Sequence, residues 1–86
     1  MDVKNQDHYT RLRVQPARYI MANDFEYWRG NVIKYASRAG HKQYQDMDEK
    51  ESEIFDLQKA IHYCEMRIQQ IEGERDASRK PTSNNS

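Results

Sequence analysis

Eighty-six residues, 36% of them apolar and 33% charged, exclude more than one small domain and leave little for a hydrophobic core. Fourteen bases balance fourteen acids, which excludes coating of nucleic acid by net charge alone. The single cysteine, Cys64, excludes an intrachain disulfide, and no apolar run is long enough to cross a membrane, so a cytoplasmic protein with no leader ahead of its domain is expected.

The chain is expected to divide into an extended N-terminal arm (1–15), a helical domain (16–73) and a disordered tail (74–86). The arm is polar, carries scattered bases and ends in a proline. Pro16 suits the first turn of a helix, where its missing N–H costs nothing, and predicts a short helix over "PARYIMA", Pro16 to Ala22. Asn23 and Asp24 break it, and either residue can cap the next helix. From Phe25 onward Trp28, Val32, Ile33, Tyr35 and Ala36 recur in steps dominated by three and four, the period of an amphipathic helix. Gly40 should end that helix by adopting the left-handed conformation just past it. Gly30 lies inside the same helix and points to close packing or close approach of a ligand.

A loop, "HKQYQDMD", follows. Asp48 with Glu51 three residues later forms a capping box that opens a long helix, expected to fray near Gly73. Along it Ile54, Leu57, Ile61, Cys64, Ile68 and Ile71 are spaced 3-4-3-4-3, a heptad seam. The seam can pack inside its own domain or against another copy, and the lean composition favours a share of the latter. With no strand-like alternation, the fold class is all-α: a small three-helix domain, two short helices plus one long C-terminal helix, assembling as a homo-oligomer.

Charge is uneven along the chain. Residues 1–45 hold eight bases and four acids, whereas 46–86 hold six bases and ten acids. Charge pairing within or between subunits accounts for this, and so does a basic pocket for phosphate. On the second helix Asn31, Lys34, Tyr35 and Arg38 fall at i, i+3, i+4 and i+7, with Lys42 just beyond the helix end. An amide, two ammoniums, a phenol and a guanidinium suit a phosphorylated small molecule, because Arg clasps phosphate through two hydrogen bonds and Lys acts as a point charge. The competing reading is a solvated face. On the third helix Asp56, Lys59 and Tyr63 form a second stripe, where Asp56 can pair with Arg38 or hold Mg²⁺. His8, His41 and His62 lack metal-ligand spacing, and no Walker-type phosphate loop is present.

Four blocks occur in order: "HY" at residues 8–9, "P-x-x-Y-I" from Pro16, "G-N-x-x-K-Y-x-x-R-x-G-x-K" from Gly30 and "D-L-x-K-A-x-x-Y" from Asp56. Together they resemble a small bacteriophage family of domains of unknown function. That family includes a podophage nucleotide kinase that phosphorylates deoxynucleoside monophosphates without a Walker loop and forms a homo-oligomer. The resemblance implies a helical fold in a phage protein acting in the host cytoplasm, and nucleotide binding of a kinase-like kind with Mg²⁺ as the expected cofactor. The positions that carry it are His8, Tyr9, Asn31, Lys34, Tyr35, Arg38, Lys42, Asp56, Lys59 and Tyr63. The loop at 43–53 is longer than the family's compact link. Two alternatives stand beside this reading. One is a non-enzymatic anti-defence or host-takeover protein that inhibits a host protein or sequesters a nucleotide signal. The other is an assembly whose polar stripes are intersubunit salt bridges.

Overall fold

The computed structural model describes residues 11–83, with side chains as far as residue 77. Three helices follow in order, α1 (Pro16–Ala22), α2 (Tyr27–Arg38) and α3 (Glu49–Ser83). The second packs against both of the others. Most of the expected arm, His8 and Tyr9 included, lies outside the described residues. Its last part is tied down where the Arg11 guanidinium donates to the carbonyl of Ser37 near the end of α2.

The bounds of α1 match the expectation, with Pro16 in its first turn and buried. The end of α1 corrects the sequence reading of residues 23–24. Asp24 has φ of 53° and donates its N–H to Met21, while Phe25 donates to Ile20. These two bonds make a Schellman closure, with Asp24 in the left-handed place glycine often takes. Asn23 also looks back, its amide donating to the Tyr19 carbonyl at 2.8 Å. Both residues therefore finish α1, and neither caps α2. The residue before α2 is Glu26, whose carboxylate accepts from Arg29 at 2.8 Å and makes no capping bond. The neighbouring guanidinium holds the Glu26 carboxyl below its ordinary range.

Gly30 brings α2 onto α1. A Cβ built there would lie 3.0 Å from a methyl of Ile20, so its role is close helix packing. Past the end of α2, Gly40 takes φ of +86° as expected. The capping box of α3 forms in full: Glu51 N–H donates to Asp48 Oδ1 at 2.7 Å and Asp48 N–H donates to Glu51 Oε1 at 2.9 Å. The helix does not stop at Gly73 but continues to Ser83. Glu, Arg and Ala follow Gly73, good helix formers that offset the cost of one glycine.

The interior departs most from the periodicity. Among the described residues no side chain of the strongly apolar types is buried, while Arg38, Ser52 and Asp56 are. The heptad seam of α3 does not face α2: Ile54, Leu57, Ile61, Ile68 and Ile71 are all exposed. The face turned inward carries Ser52 and Asp56, with Phe55, Lys59 and Tyr63 half-buried.

The capping box should matter in so small a domain. Asp48→Ala is expected to cost about 1 kcal/mol, read as a drop of roughly 4–8 °C in thermal unfolding. Asp48→Asn, which keeps the accepting oxygen, should lose much less.

Candidate functional site

Arg38 sits on the last turn of α2 and Asp56 two turns into α3, with side chains 10% and 0% exposed. Their closest charged atoms, Arg38 Nε and Asp56 Oδ1, are 3.6 Å apart, an ion pair without a direct hydrogen bond. Tyr44, from the intervening loop, supplies the hydrogen bonds. Its hydroxyl accepts from Arg38 Nη2 at 2.6 Å and donates to Asp56 Oδ1 at 2.5 Å. The backbone N–H of Tyr44 donates to Ser52 Oγ at 2.9 Å, fixing the loop on the fully buried Ser52 in the first turn of α3. Asp56 Oδ2 is buried with no hydrogen-bond donor among the described residues. Burial, then the bond to Asp56, pushes the Tyr44 phenol up to about 12.

This buried unit organises a row of rings and cations. The Arg38 guanidinium lies 4.8 Å from the Tyr35 ring centre and 5.6 Å from that of Tyr44. Lys34 Nζ is 5.1 Å from the Tyr35 ring, and Lys42 Nζ is 4.9 Å from the Tyr44 ring. The order along the surface is thus Lys34, Tyr35, Arg38, Tyr44, Lys42. From α3, Tyr63 stacks on Tyr35, with ring centres 6.0 Å apart and planes 9° from parallel. Tyr27 meets Tyr63 edge-on at 5.9 Å. A hydrogen bond to Tyr27, followed by burial, raises the Tyr63 phenol above its ordinary range. Lys59 rests its ammonium 5.4 Å from the Phe55 ring.

The predicted residues therefore fall into three groups. Arg38 and Asp56 form the interior pair. Lys34, Tyr35, Lys42 and Tyr63 form the outer row, and Lys59 stands on the same helix as Tyr63, one turn earlier. Asn31 bonds back along its own helix, its amide donating to the Tyr27 carbonyl one turn earlier on α2 at 2.9 Å. With Ala17, Ile20, Phe25, Tyr27 and Lys34 it lines a cleft of about 350 Å³ between α1 and α2. The stripe read from the helical period is split between two neighbours, and Lys34 belongs to both sides. His8 and Tyr9 lie outside the described residues.

Mg²⁺ does not fit Asp56 as it stands. Such a site keeps several waters around one or two carboxylates, whereas Asp56 is fully buried beside a guanidinium with one oxygen bonded to Tyr44. Among the described residues no three of His, Cys, Asp and Glu gather in a metal-binding group.

Sequence reasoning missed Tyr44 and Ser52. The available signal was a tyrosine alone in a polar loop, between a basic helix end and an acidic helix start. Comparison with known proteins adds one finding: the profile of DUF3310, described as a protein of unknown function, matches residues 3–65. No curated protein and no solved structure matches.

Two outcomes follow from the interior pair. Tyr44→Phe leaves Asp56 without its donor and should cost about 1–3 kcal/mol in urea unfolding. The phenol ionises near 10.0 when unfolded and about 12 when folded, so its contribution is complete below pH 10 and lost between pH 10 and 12. The melting temperature of the wild-type chain should fall through that window more steeply than that of Tyr44→Phe.

Proposed function

The chain belongs to the DUF3310 family, and we propose that it binds a nucleotide or nucleotide-like phosphate along the lysine and tyrosine row of α2 and the loop after it. One observation carries the reading. Lys34 and Lys42 flank the Tyr35–Arg38–Tyr44 unit, and neither ammonium pairs with a carboxylate among the described residues; each leans on a tyrosine ring instead. Two un-neutralised point charges attract a phosphate chain. The stacked Tyr35 and Tyr63 rings, with Tyr27 exposed beside them, offer an aromatic surface on which a base can stack.

In this reading Arg38 is a positioning residue, because its buried guanidinium donates to Tyr44 and pairs with the Asp56 carboxylate. Lys34 and Lys42 hold phosphate, Lys59 adds charge from α3, and Tyr35 and Tyr63 hold the base. Asn31 borders the row on the α1 side. Any Mg²⁺ arrives on the phosphates, with no place at Asp56. The resemblance to a phage family with a deoxynucleoside monophosphate kinase supports the ligand class, and kinase-like transfer is the stronger form of the same proposal. A protein that sequesters a nucleotide signal would use the same row, so one ligand screen serves both.

Thermal shift against deoxynucleoside mono- and triphosphates and cyclic dinucleotides, each with and without Mg²⁺, tests the proposal. A ligand at 100 times its Kd adds about 2.7 kcal/mol of stability, easily seen in a small domain. Lys34→Ala and Lys42→Ala should each weaken binding about tenfold or more while leaving the unliganded melt nearly unchanged. The proposal fails if no member of the panel shifts the melt, or if the double variant keeps full affinity. Conversion of a monophosphate to a diphosphate with a triphosphate donor, lost in Lys34→Ala, would extend the reading to a kinase.

A further inference from the structure

Lys34 borders the tyrosine row on one side and the cleft between α1 and α2 on the other. At about 350 Å³ the cleft falls within the range of about 300–1,000 Å³ usual for small-ligand sites. Its lining is mostly apolar, with Ile20 from α1, Phe25 from the link and Tyr27 from α2. The wall is held in shape from behind. The Phe25 N–H donates to Ile20, and the Phe25 ring meets Tyr19 edge-on at 5.5 Å.

Polar groups border this apolar surface. The amide nitrogen of Asn31 is spent on the Tyr27 carbonyl, which can only accept, so the atom Asn31 has left over is Oδ1, an acceptor. The Lys34 ammonium has no carboxylate partner among the described residues. Glu26 also lines the cleft, but Arg29 pairs with it at 2.8 Å, so its charge is already balanced when an anion arrives. An apolar slot with ring walls, an acceptor and a cation at its edge matches a nucleotide. The base has flat apolar faces and N–H donors on its edge, and the phosphate follows through the sugar.

The row on the other side of Lys34 already has a stacking surface of its own, Tyr35 on Tyr63. Tyr27 joins the two sides, lining the cleft while meeting Tyr63 edge-on at 5.9 Å. The split follows from the helix. Tyr27, Asn31 and Lys34 fall at i, i+4 and i+7 on the arc toward α1, whereas Tyr35 and Arg38 lie on the next arc, toward α3. A mononucleotide carries one base and leaves one of the two surfaces bare.

Resting on the nucleotide reading above, we propose that the cleft is a second base site and that Lys34 holds phosphate between two bases, one in the cleft and one on Tyr35 and Tyr63. The ligand class is two nucleobases with phosphate between them. A dinucleotide supplies this as one molecule, and two mononucleotides supply it as a pair.

Calorimetry and nuclear magnetic resonance of the full chain test the second site. The probes are the four deoxynucleoside monophosphates, linear dinucleotides of the same bases and cyclic dinucleotides. The Gly30 N–H and the Asn31 side-chain amide report on the cleft, and the Tyr44 N–H reports on the row. The expected result is that both sets of signals move, with two monophosphates or one dinucleotide bound per chain. Dinucleotide binding at least about tenfold tighter than monophosphate binding identifies one linked ligand. Two monophosphates per chain without that gain identify a pair of separate nucleotides. Ala17→Leu exchanges one good helix former for another at an exposed position and fills the cleft. It should abolish the Gly30 and Asn31 shifts and leave the Tyr44 shift and the unliganded melt unchanged. Asn31→Ala should weaken the cleft alone, and Lys34→Ala should weaken both sets at least about tenfold. One monophosphate per chain that leaves Gly30 and Asn31 unmoved, with dinucleotides no tighter, overturns the second site while the row reading stands. A single monophosphate that moves both sets and is lost in Ala17→Leu also overturns it, because one small ligand then spans cleft and row. Ala17→Leu that changes sedimentation but no nucleotide count assigns the cleft to a second copy of the chain and overturns it likewise. If no probe binds, this proposal and the reading beneath it fall together.

Discussion

The fold depends on one buried interaction, the Arg38–Tyr44–Asp56 unit between α2 and α3. In most domains of this size apolar burial supplies the driving force and a polar interior contact is an exception. Among the described residues the fully buried side chains are Ser52 and Asp56. A buried ion pair gains little net stability over an apolar pair, because desolvation cancels most of the attraction, yet removing one partner costs about 3–5 kcal/mol. Such a contact fixes an arrangement more than it stabilises one. It accepts a single alignment of α2 on α3, and it draws the intervening loop in through Tyr44. The capping box at Asp48 and Glu51 serves the same geometry, starting α3 so that Ser52 meets the Tyr44 backbone and Asp56 meets its hydroxyl.

The same unit decides which cations face outward. Arg38, the obvious candidate for clasping phosphate, is committed inward. Its guanidinium lies between the rings of Tyr35 and Tyr44, and those rings seat Lys34 and Lys42. The charge imbalance between the two halves of the sequence has a specific outcome. Among the described residues one side-chain ion pair joins α2 to α3, while the others, Arg29–Glu26 and Arg67–Glu74, are local. Among the described residues the bases of α2 other than Arg38 are therefore not paired across the helix interface, and Lys34 and Lys42 flank the tyrosine row outward.

Much of the fold was legible because its signals are local. Pro16 opened α1 in its first turn, Gly40 closed α2 with a positive φ, and the Asp48/Glu51 pair opened α3. What escaped depends on distant partners. Tyr44 acquires a role only when residues 6 positions before it and 12 after it converge on its hydroxyl. Asp24 looked like a cap for α2, but a short polar residue also tolerates the left-handed turn that closes α1. The stripe of Asn31, Lys34, Tyr35 and Arg38 was sound as an arc of helix surface. Periodicity groups residues on an arc without saying how many neighbours that arc touches, and this one touches two.

The seam of α3 carries the same limit further. A 3-4 spacing says that a helix has an apolar side; it does not say what lies against it. The chain's own α2 takes the polar side, which carries Asp56 and Ser52, and that choice leaves the isoleucines outside. Taken singly, the chain has its polarity inverted, with charges inside and branched apolar residues in water.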